Sequence, residues 1–312
     1  MQLSLLIVLL AAALFFIWGG LLFRIARDIR YIGMILPTII LLGIFNYFPA
    51  GSAIYHAFFR WNGSEIAEFV GLLHFRSILT DGTLHKSVII AGAFLAANLL
   101  KLIPNVFIAV VLFHLASRRL QYCFRVVFVL PLAIPGMVGI LIWKYFYRMD
   151  GGLLNSILLD LGVVDVPINW LGNEDTVLPA LLFLGFPYIS TIGVLILLAG
   201  LENIPNSTFE AARLDGCGVW RRFWEIEMPL IMGQIKLNIV LVTIGTIQDF
   251  ALPLILTKGG PNNRSMLPGL WMYLNAFEFG KMGYAAALGV GIFLVILFLT
   301  YVNMRYIQVE RD

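Results

Sequence analysis

The chain has 312 residues, of which 60% are hydrophobic and only 12% are Asp, Glu, Lys or Arg. Because about 25% of the residues in a soluble domain are charged, this composition excludes a soluble enzyme, a disordered protein and a nucleic-acid-binding protein. A net charge of +3 does not indicate polyanion binding, and two cysteines exclude a disulfide framework or a cysteine-rich metal site. An integral membrane protein remains.

Seven apolar segments are long enough to cross a bilayer. A hydrocarbon core roughly 30 Å thick needs about 20 apolar helical residues, because lipid offers no hydrogen-bond partner to the backbone. We therefore predict an all-α, polytopic transmembrane helical bundle with about seven spans. In chain order these are Leu3–Phe23, Tyr31–Phe48, Val88–Leu115, Phe124–Tyr145, Val177–Leu201, Ile235–Leu256 and Tyr284–Met304.

The first segment has two interpretations. It lacks a basic region before the apolar run, and that run exceeds the roughly 7–15 residues of a typical signal-peptide core. Ala11–Ala13 alone favour cleavage as a signal peptide. We favour an uncleaved extra N-terminal span followed by a basic cytoplasmic loop, together residues 1–30, and the signal peptide remains the alternative.

Basic residues are unequally distributed between the two sets of loops. By the positive-inside rule the richer set lies in the cytoplasm, which puts the N-terminus outside and the C-terminus inside. Cys123 and Cys217 then lie on the reducing side, where neither needs a disulfide partner. The richer set contains Arg24, Arg27, Arg30, Arg118, Arg119, Arg125, Arg213, Arg221, Arg222, Lys236, Arg305 and Arg311.

The longest cytoplasmic segment is residues 202–234, between the fifth and sixth spans. Ser207 and Glu210 have the spacing of a capping box, which predicts the start of a short helix. Gly216 is placed to end that helix in a left-handed C-terminal cap. A second helical piece, Trp220–Glu227, is predicted to end at the following proline. A lipid-bound amphipathic helix is the alternative, although the mixed charge of the segment disfavours it.

The same segment contains Glu210-Ala211-Ala212, then Asp215-Gly216, then Ile226-Glu227-Met228-Pro229. This order resembles the EAA loop of binding-protein-dependent ABC importer permeases. Over roughly residues 31–306 the chain is similar to the maltose-type and glycerol-phosphate-type first permease subunits of the sugar branch. The other matching motifs are Phe124-Arg125, Pro131, Pro135, Trp143, Gly152-Leu153-Leu154-Asn155, Gly185-Phe186-Pro187-Tyr188 and Thr257-Lys258-Gly259-Gly260-Pro261.

The resemblance implies a six-helix importer core in residues 31–312, with the extra N-terminal span outside it. It implies that the loop helix docks on a cytoplasmic ATPase and couples ATP-driven closure to alternating access. The chain contains no G-x-x-x-x-G-K-[ST] phosphate loop, so it has no Walker-type site of its own. The ATPase-coupling residues implied by position are Glu210, Ala211, Ala212, Asp215 and Gly216.

The resemblance also implies partners and a location. We expect a second homologous permease in a heterodimer, two ATPase subunits that bind ATP and Mg²⁺, and an extracytoplasmic solute-binding protein. The location would be a bacterial or archaeal cell (inner) membrane, and the cargo a carbohydrate, either an oligosaccharide or a sugar derivative. We predict no catalytic residue, no metal site, no cofactor in this chain and no nucleic-acid partner. An ion-coupled secondary transporter is the alternative, which would require inverted repeats and broken helices.

Polar residues inside the spans indicate a substrate path, because ionisable groups in a bilayer are costly and usually face a cavity or a partner. In the sixth span Thr243, Thr246 and Asp249 recur every three residues, with Gln248 beside them. In the fifth span Gly185 and Tyr188 are one helical step apart and would share a face, where tyrosine can pack on a sugar ring. Polar contacts between helices are the alternative for each residue.

Lys101 lies in the third span, one turn from Asn98. Three roles are open: an ion pair with Asp249, binding of an anionic substrate group, or packing near backbone carbonyls. Outside the spans, the polar segment Arg60–Lys86 is either a contact for the solute-binding protein or a solvated loop.

Overall fold

The computed structural model describes residues 29–64 and 66–306, and nearly all of its secondary structure is helical. The predicted first span, Leu3–Phe23, lies outside the described residues. The chain divides into two compact units, with the boundary between Tyr55 and His56. The first described helix consists of Ile29–Leu42 (α1), a π turn at Gly43–Tyr47 and Phe48–His56 (α2).

The second unit starts with an antiparallel pair of strands and continues with helices. The strands are Phe59–Trp61 (β1) and Ile66–Phe69 (β2), with Phe59 opposite Phe69. Short 3₁₀ or π turns lie at Leu130–Ala133, Phe223–Glu227 and Leu274–Glu278. The helices are Leu73–Thr80 (α3), Gly82–Leu100 (α4), Leu102–His114 (α5), Arg118–Val129 (α6), Gly136–Phe146 (α7), Leu153–Asp160 (α8), Glu174–Phe183 (α9), Thr191–Glu202 (α10), Asn206–Leu214 (α11), Val219–Arg222 (α12), Met228–Leu230 (α13), Met232–Gln248 (α14), Ala251–Leu256 (α15), Pro268–Tyr273 (α16) and Met282–Tyr306 (α17).

Polar side chains at the N-cap fix where several of these helices begin. Asp81 accepts the amide hydrogens of the first turn of α4, and Ser190 accepts that of Gly193 in α10. Ser117 and Asn173 cap α6 and α9 in the same way. Such caps satisfy donors that have no partner within the helix, so each helix start is encoded locally.

Three described segments are long and apolar enough to cross a membrane: Gly33–His56, Gly82–His114 and Met282–Arg305. The number rises to six if each of three bent helix pairs counts as one span. Three of the predicted continuous spans are in fact broken. Phe124–Tyr145 bends by 89° between the helical segments that end at Ala133 and begin at Gly136. Val177–Leu201 is interrupted between α9 and α10, and Ile235–Leu256 is interrupted after Gln248.

Among the described residues, the largest buried cluster joins α5 and α10 to the segment that follows α10. Ala109 and Leu112 of α5 contact Leu197 and Leu201 of α10, and Ile231 closes the cluster. All five side chains are at most 4% exposed. Burial of Leu-sized side chains stabilises a fold by roughly 1.5–3 kcal/mol each, so this cluster holds the following segment firmly against the helices.

Candidate functional site

The short helix α11 forms at the predicted place but starts differently. It begins at Asn206 after Pro205, and no side chain caps it, so the predicted capping box of Ser207 and Glu210 is wrong. Pro205 stands at the N-cap with φ −59° and leads the chain into the helix two residues before a Ser207 cap would.

The predicted C-terminal cap of α11 is confirmed. Gly216 has a φ of +67°, in the left-handed region that favours glycine. Its amide donates to the carbonyl of Arg213 at 3.1 Å, and the amide of Cys217 donates to the carbonyl of Ala212 at 2.9 Å. These two bonds form a Schellman motif, which fixes the direction in which the chain leaves the helix.

The two faces of α11 have different environments. Phe209 and Ala212 are buried, and the Phe209 ring lies 5.6 Å from that of Phe113 and 6.2 Å from that of His114, measured between centroids. The opposite surface is open, with Leu214 89% exposed. Of the predicted coupling residues, Ala212 therefore anchors the helix, whereas the exposed ones are Glu210, Ala211, Asp215 and Gly216.

A buried carboxylate connects the next helical piece to the end of α5. Glu227 is 1% exposed, and its Oε1 accepts hydrogen bonds from His114 Nε2 at 2.7 Å and Arg222 Nε at 2.8 Å. Burial by itself would raise the pKa of Glu227, but the bond from His114 and the charges of His114 and Arg222 lower that pKa below its usual value. The carboxylate thus stays ionised and holds both partners.

This piece extends beyond its predicted end. Helical structure continues from Val219 to Leu230 and then bends by 65° into α14. The piece ends at Leu230, one residue after Pro229, so the predicted end at the proline is off by one residue.

A cavity of about 370 Å³ brings together five of the seven predicted substrate-path residues. Three separate parts of the chain contribute: α4 with the start of α5, the break between α9 and α10, and the end of α14. The five predicted residues are Lys101, Gly185, Tyr188, Thr246 and Asp249, and the other lining residues are Asn98, Leu102, Asn105, Leu184, Ile189, Ser190, Val242 and Gly245.

Gly185 and Tyr188 line this cavity from a turn, so the predicted helical step between them is wrong. Gly185 has a φ of +86° and Tyr188 a φ of +65°, and the Tyr188 amide donates to the Gly185 carbonyl at 2.7 Å. The Phe186–Pro187 peptide bond between them is cis. Asn105 holds the turn, since its Oδ1 accepts the amide hydrogen of Ser190 at 2.7 Å.

Lys101 contacts the turn and not Asp249. Its Nζ donates to the carbonyl oxygen of Leu184 at 3.3 Å and lies 4.9 Å from the centroid of the Tyr188 ring. Among the described ion pairs none includes Lys101. The contact with a backbone carbonyl was one of the three predicted roles, and the ion pair with Asp249 was another.

The predicted substrate-path residues on and just after α14 have different environments. Thr246 accepts a hydrogen bond from Asn98 Nδ2 at 2.9 Å, and Asp249 Oδ1 accepts the Leu252 amide hydrogen at 3.3 Å beyond the helix end. Thr243 is buried and donates to the carbonyl of Ile239, whereas Gln248 is exposed. Neither lines the cavity. The predicted polar stripe of Thr243, Thr246 and Asp249 does not form. The helix α14 ends before Asp249, and the Thr243 hydroxyl is already hydrogen-bonded within the helix.

Sequence reasoning missed two polar positions that organise the site. Asn105 was not singled out, although an amide in an apolar segment is itself a signal. Glu227 was noted only within a motif, and nothing in the sequence pairs it with His114, 113 residues earlier. Within residues 29–64 and 66–306 no group of His, Cys, Asp or Glu is arranged to hold a metal ion.

The polar segment Arg60–Lys86 contributes to a second polar cavity of about 660 Å³. Asp81 lies at its wall, where one oxygen accepts the Trp271 indole N–H at 2.8 Å and the Tyr284 hydroxyl at 2.6 Å. Burial alone would raise the pKa of Asp81, but these bonds and the two capped amides lower it. The segment is therefore held to α16 and α17 and is not a freely solvated loop.

Comparison with known proteins gives one family and several relatives. Residues 105–309 match the family described as the binding-protein-dependent transport system inner membrane component. The permease protein of the sulfoquinovosyl glycerol transport system from Agrobacterium fabrum is 28% identical, over 89% of this chain and 90% of its own. The trehalose/maltose permease protein from Thermococcus litoralis is also 28% identical, over 89% and 94%.

A solved structure has the same fold. It is a bacterial alginate ABC transporter in complex with an alginate-pentasaccharide-bound periplasmic protein. The similarity has a TM-score of 0.77 at 19% identity and covers 92% of this chain and 95% of the other.

Proposed function

This chain belongs to the family of binding-protein-dependent transport system inner membrane components, and we propose that it forms part of the translocation path for a carbohydrate in an ATP-driven importer. It is a permease subunit of the sugar-type branch of ABC importers, a multi-pass protein of the cell membrane and not itself an enzyme. The observation that carries the proposal is the cavity at Lys101, Tyr188, Thr246 and Asp249, which offers donors, acceptors and an aromatic ring to a sugar.

The proposed coupling element is the exposed face of α11. A docking helix needs one face packed firmly on its own protein and another face exposed to the partner. In α11, Phe209 and Ala212 are buried, while Glu210 and Asp215 are exposed. Because α11 contacts the end of α5 through Phe113 and His114, a push on it would reach the helix that begins beside the cavity. Partner ATPases would bind ATP and Mg²⁺.

The remaining assembly is proposed from family membership and charge distribution. The chain would pair with a second homologous permease and two ATPases and would receive cargo from an extracytoplasmic solute-binding protein. The sugar specificities named for two relatives support a carbohydrate cargo. Seven spans, an outer N-terminus and a cytoplasmic C-terminus follow from the apolar segments and the loop arginines.

Co-purification and ATP-dependent uptake test this function together. The chain is expected to purify with an ATPase and a second permease, and Glu210→Lys is expected to abolish ATPase capture or coupled uptake while membrane insertion is unchanged. Glu225→Lys is the control, because Glu225 is exposed in the same loop but outside α11. Transport by the chain alone, driven by an ion gradient, would contradict the proposal and support a secondary transporter.

A further inference from the structure

Lys101 supplies the one cationic side chain among the residues that line the 370 Å³ cavity. Its ammonium group has three N–H donors, and the carbonyl oxygen of Leu184 occupies one of them at 3.3 Å. The ring face of Tyr188 attracts the charge but is not a counter-ion. A half-buried ammonium without an anion is costly, because its lost hydration is not replaced.

Lys101 and Tyr188 also border another cavity, of about 390 Å³. The other residues around that cavity are apolar: Ala97, Leu100, Pro179, Leu182 and Phe183. A solute that occupies either cavity therefore meets the same ammonium group and the same aromatic ring.

The 370 Å³ cavity also contains a carboxylate, so it has side chains of opposite charge. Asp249 and Lys101 line the same space without forming an ion pair. Asp249 repels anions and accepts hydrogen bonds from hydroxyl groups, whereas Lys101 attracts anions. A solute with hydroxyl groups at one end and an acidic group at the other satisfies both side chains.

We propose that the ammonium group of Lys101 binds an anionic group on the transported carbohydrate, so that the substrates of this permease are acidic sugars. The inference rests on the proposed function and adds the substrate class to it. Carboxylate, sulfate and phosphate groups share the chemistry that a lysine point charge binds, and the test separates them.

The test uses the complete importer with its partner subunits and binding protein in proteoliposomes. Uptake is measured for trigalacturonate against galactotriose, its carboxyl-reduced counterpart, and for glucose 6-phosphate and glucose 6-sulfate against glucose. The main variant is Lys101→Gln, which keeps a donor for the Leu184 carbonyl and removes the charge. Lys144→Gln is the matched control, because Lys144 also donates to a backbone carbonyl, that of Ile255, and lies outside the cavity.

A charged hydrogen bond contributes enough for its loss to weaken binding about 10- to 100-fold. We expect Lys101→Gln to raise the half-saturation concentration for at least one acidic probe by that factor. The change for neutral probes should be much smaller, because glutamine still donates a hydrogen bond. Lys101→Arg keeps the positive charge and should retain most of the wild-type affinity for that acidic probe. Lys144→Gln should behave as wild type. Because one binding protein serves every variant, a difference between variants arises in the permease.

Three results would overturn the inference while the proposed function stands. They are wild-type uptake of neutral probes only, unchanged acidic uptake in Lys101→Gln, and equal losses for acidic and neutral probes. If Lys101→Gln fails to assemble, the wild-type preference between each acid and its neutral counterpart decides. Absence of ATP-dependent uptake of every probe overturns the proposed function as well.

Discussion

The proposed coupling helix and the proposed substrate cavity are assembled in opposite ways. The loop helix, its C-terminal cap and its exposed face all come from residues 206–217, which are contiguous. The cavity combines Asn98, Gly185 and Asp249, which lie in different helices or breaks. Its shape depends on two interruptions, one between α9 and α10 and one after α14. Local sequence rules can therefore relate the residues of a site made from chain neighbours, whereas they do not show how distant residues meet at helix breaks.

The largest expected effect is the loss of the α11 cap. Gly216→Val places a β-branched residue at a φ of +67°, which such residues avoid, although no atom within 4 Å would hinder the side chain. The Schellman motif should break, and ATPase capture and coupled uptake should fall below detection. Gly218→Val is the control, since Gly218 has equally open surroundings and an ordinary φ of −72°. Equal behaviour of both variants would mean that the cap geometry is irrelevant to coupling.

The next effect separates adjacent residues at the cavity. Asp249→Asn should raise the half-saturation concentration for uptake by about tenfold, because a charged acceptor for sugar hydroxyls becomes neutral. Gln248→Ala should leave uptake unchanged, because Gln248 is exposed and does not line the cavity. A larger effect at Gln248 than at Asp249 would show that the predicted helical stripe describes the path better than the cavity does.

A smaller effect concerns the carboxylate between the loop and α5. Glu227→Gln should lower the stability of the folded importer by about 1–3 kcal/mol, since removal of a buried charge leaves Arg222 and His114 without an anion. This expected loss of stability is smaller than that for a fully buried ion pair, because Arg222 and His114 are partly exposed. Glu225→Gln, which removes an exposed pair with Arg221, should have no measurable effect on thermal unfolding of the purified complex. Equal shifts in the two variants would contradict this difference.

The smallest effect is a pH dependence at the N-terminal end of α4. Because the pKa of Asp81 is lowered in the fold, its contribution to stability is present above the pKa of the unfolded chain. That contribution is lost as pH falls through the lower, folded-state pKa. Unfolding followed by tryptophan fluorescence between pH 5 and pH 3 should show this loss in wild type and a weaker one in Asp81→Asn. The exposed Asp150→Asn variant should keep the wild-type profile.

The accuracy of the sequence predictions follows from the range of the interactions. The α11 end at Gly216 was predicted because glycine is favoured where φ is positive, which is a local property. Its start was wrong because Pro205, not Ser207, takes the N-cap. Four of the five predicted residues in the cavity are polar residues of apolar segments, and the fifth, Gly185, is predicted from its spacing to Tyr188. Thr243 and Gln248 were included only because a continuous helix was assumed through Asp249.

The low content of charged residues determined by itself that the protein lies in lipid. The few ionisable residues within the apolar segments were candidates for the substrate path from the sequence alone. Apolar length and loop arginines gave candidate spans and an orientation in the same way. The tertiary structure alone decided that Lys101 faces Tyr188 rather than Asp249, and that Glu227 joins His114 to Arg222. Composition and periodicity report the environment of each residue. Which distant residues meet is fixed by where helices break and how their faces pack.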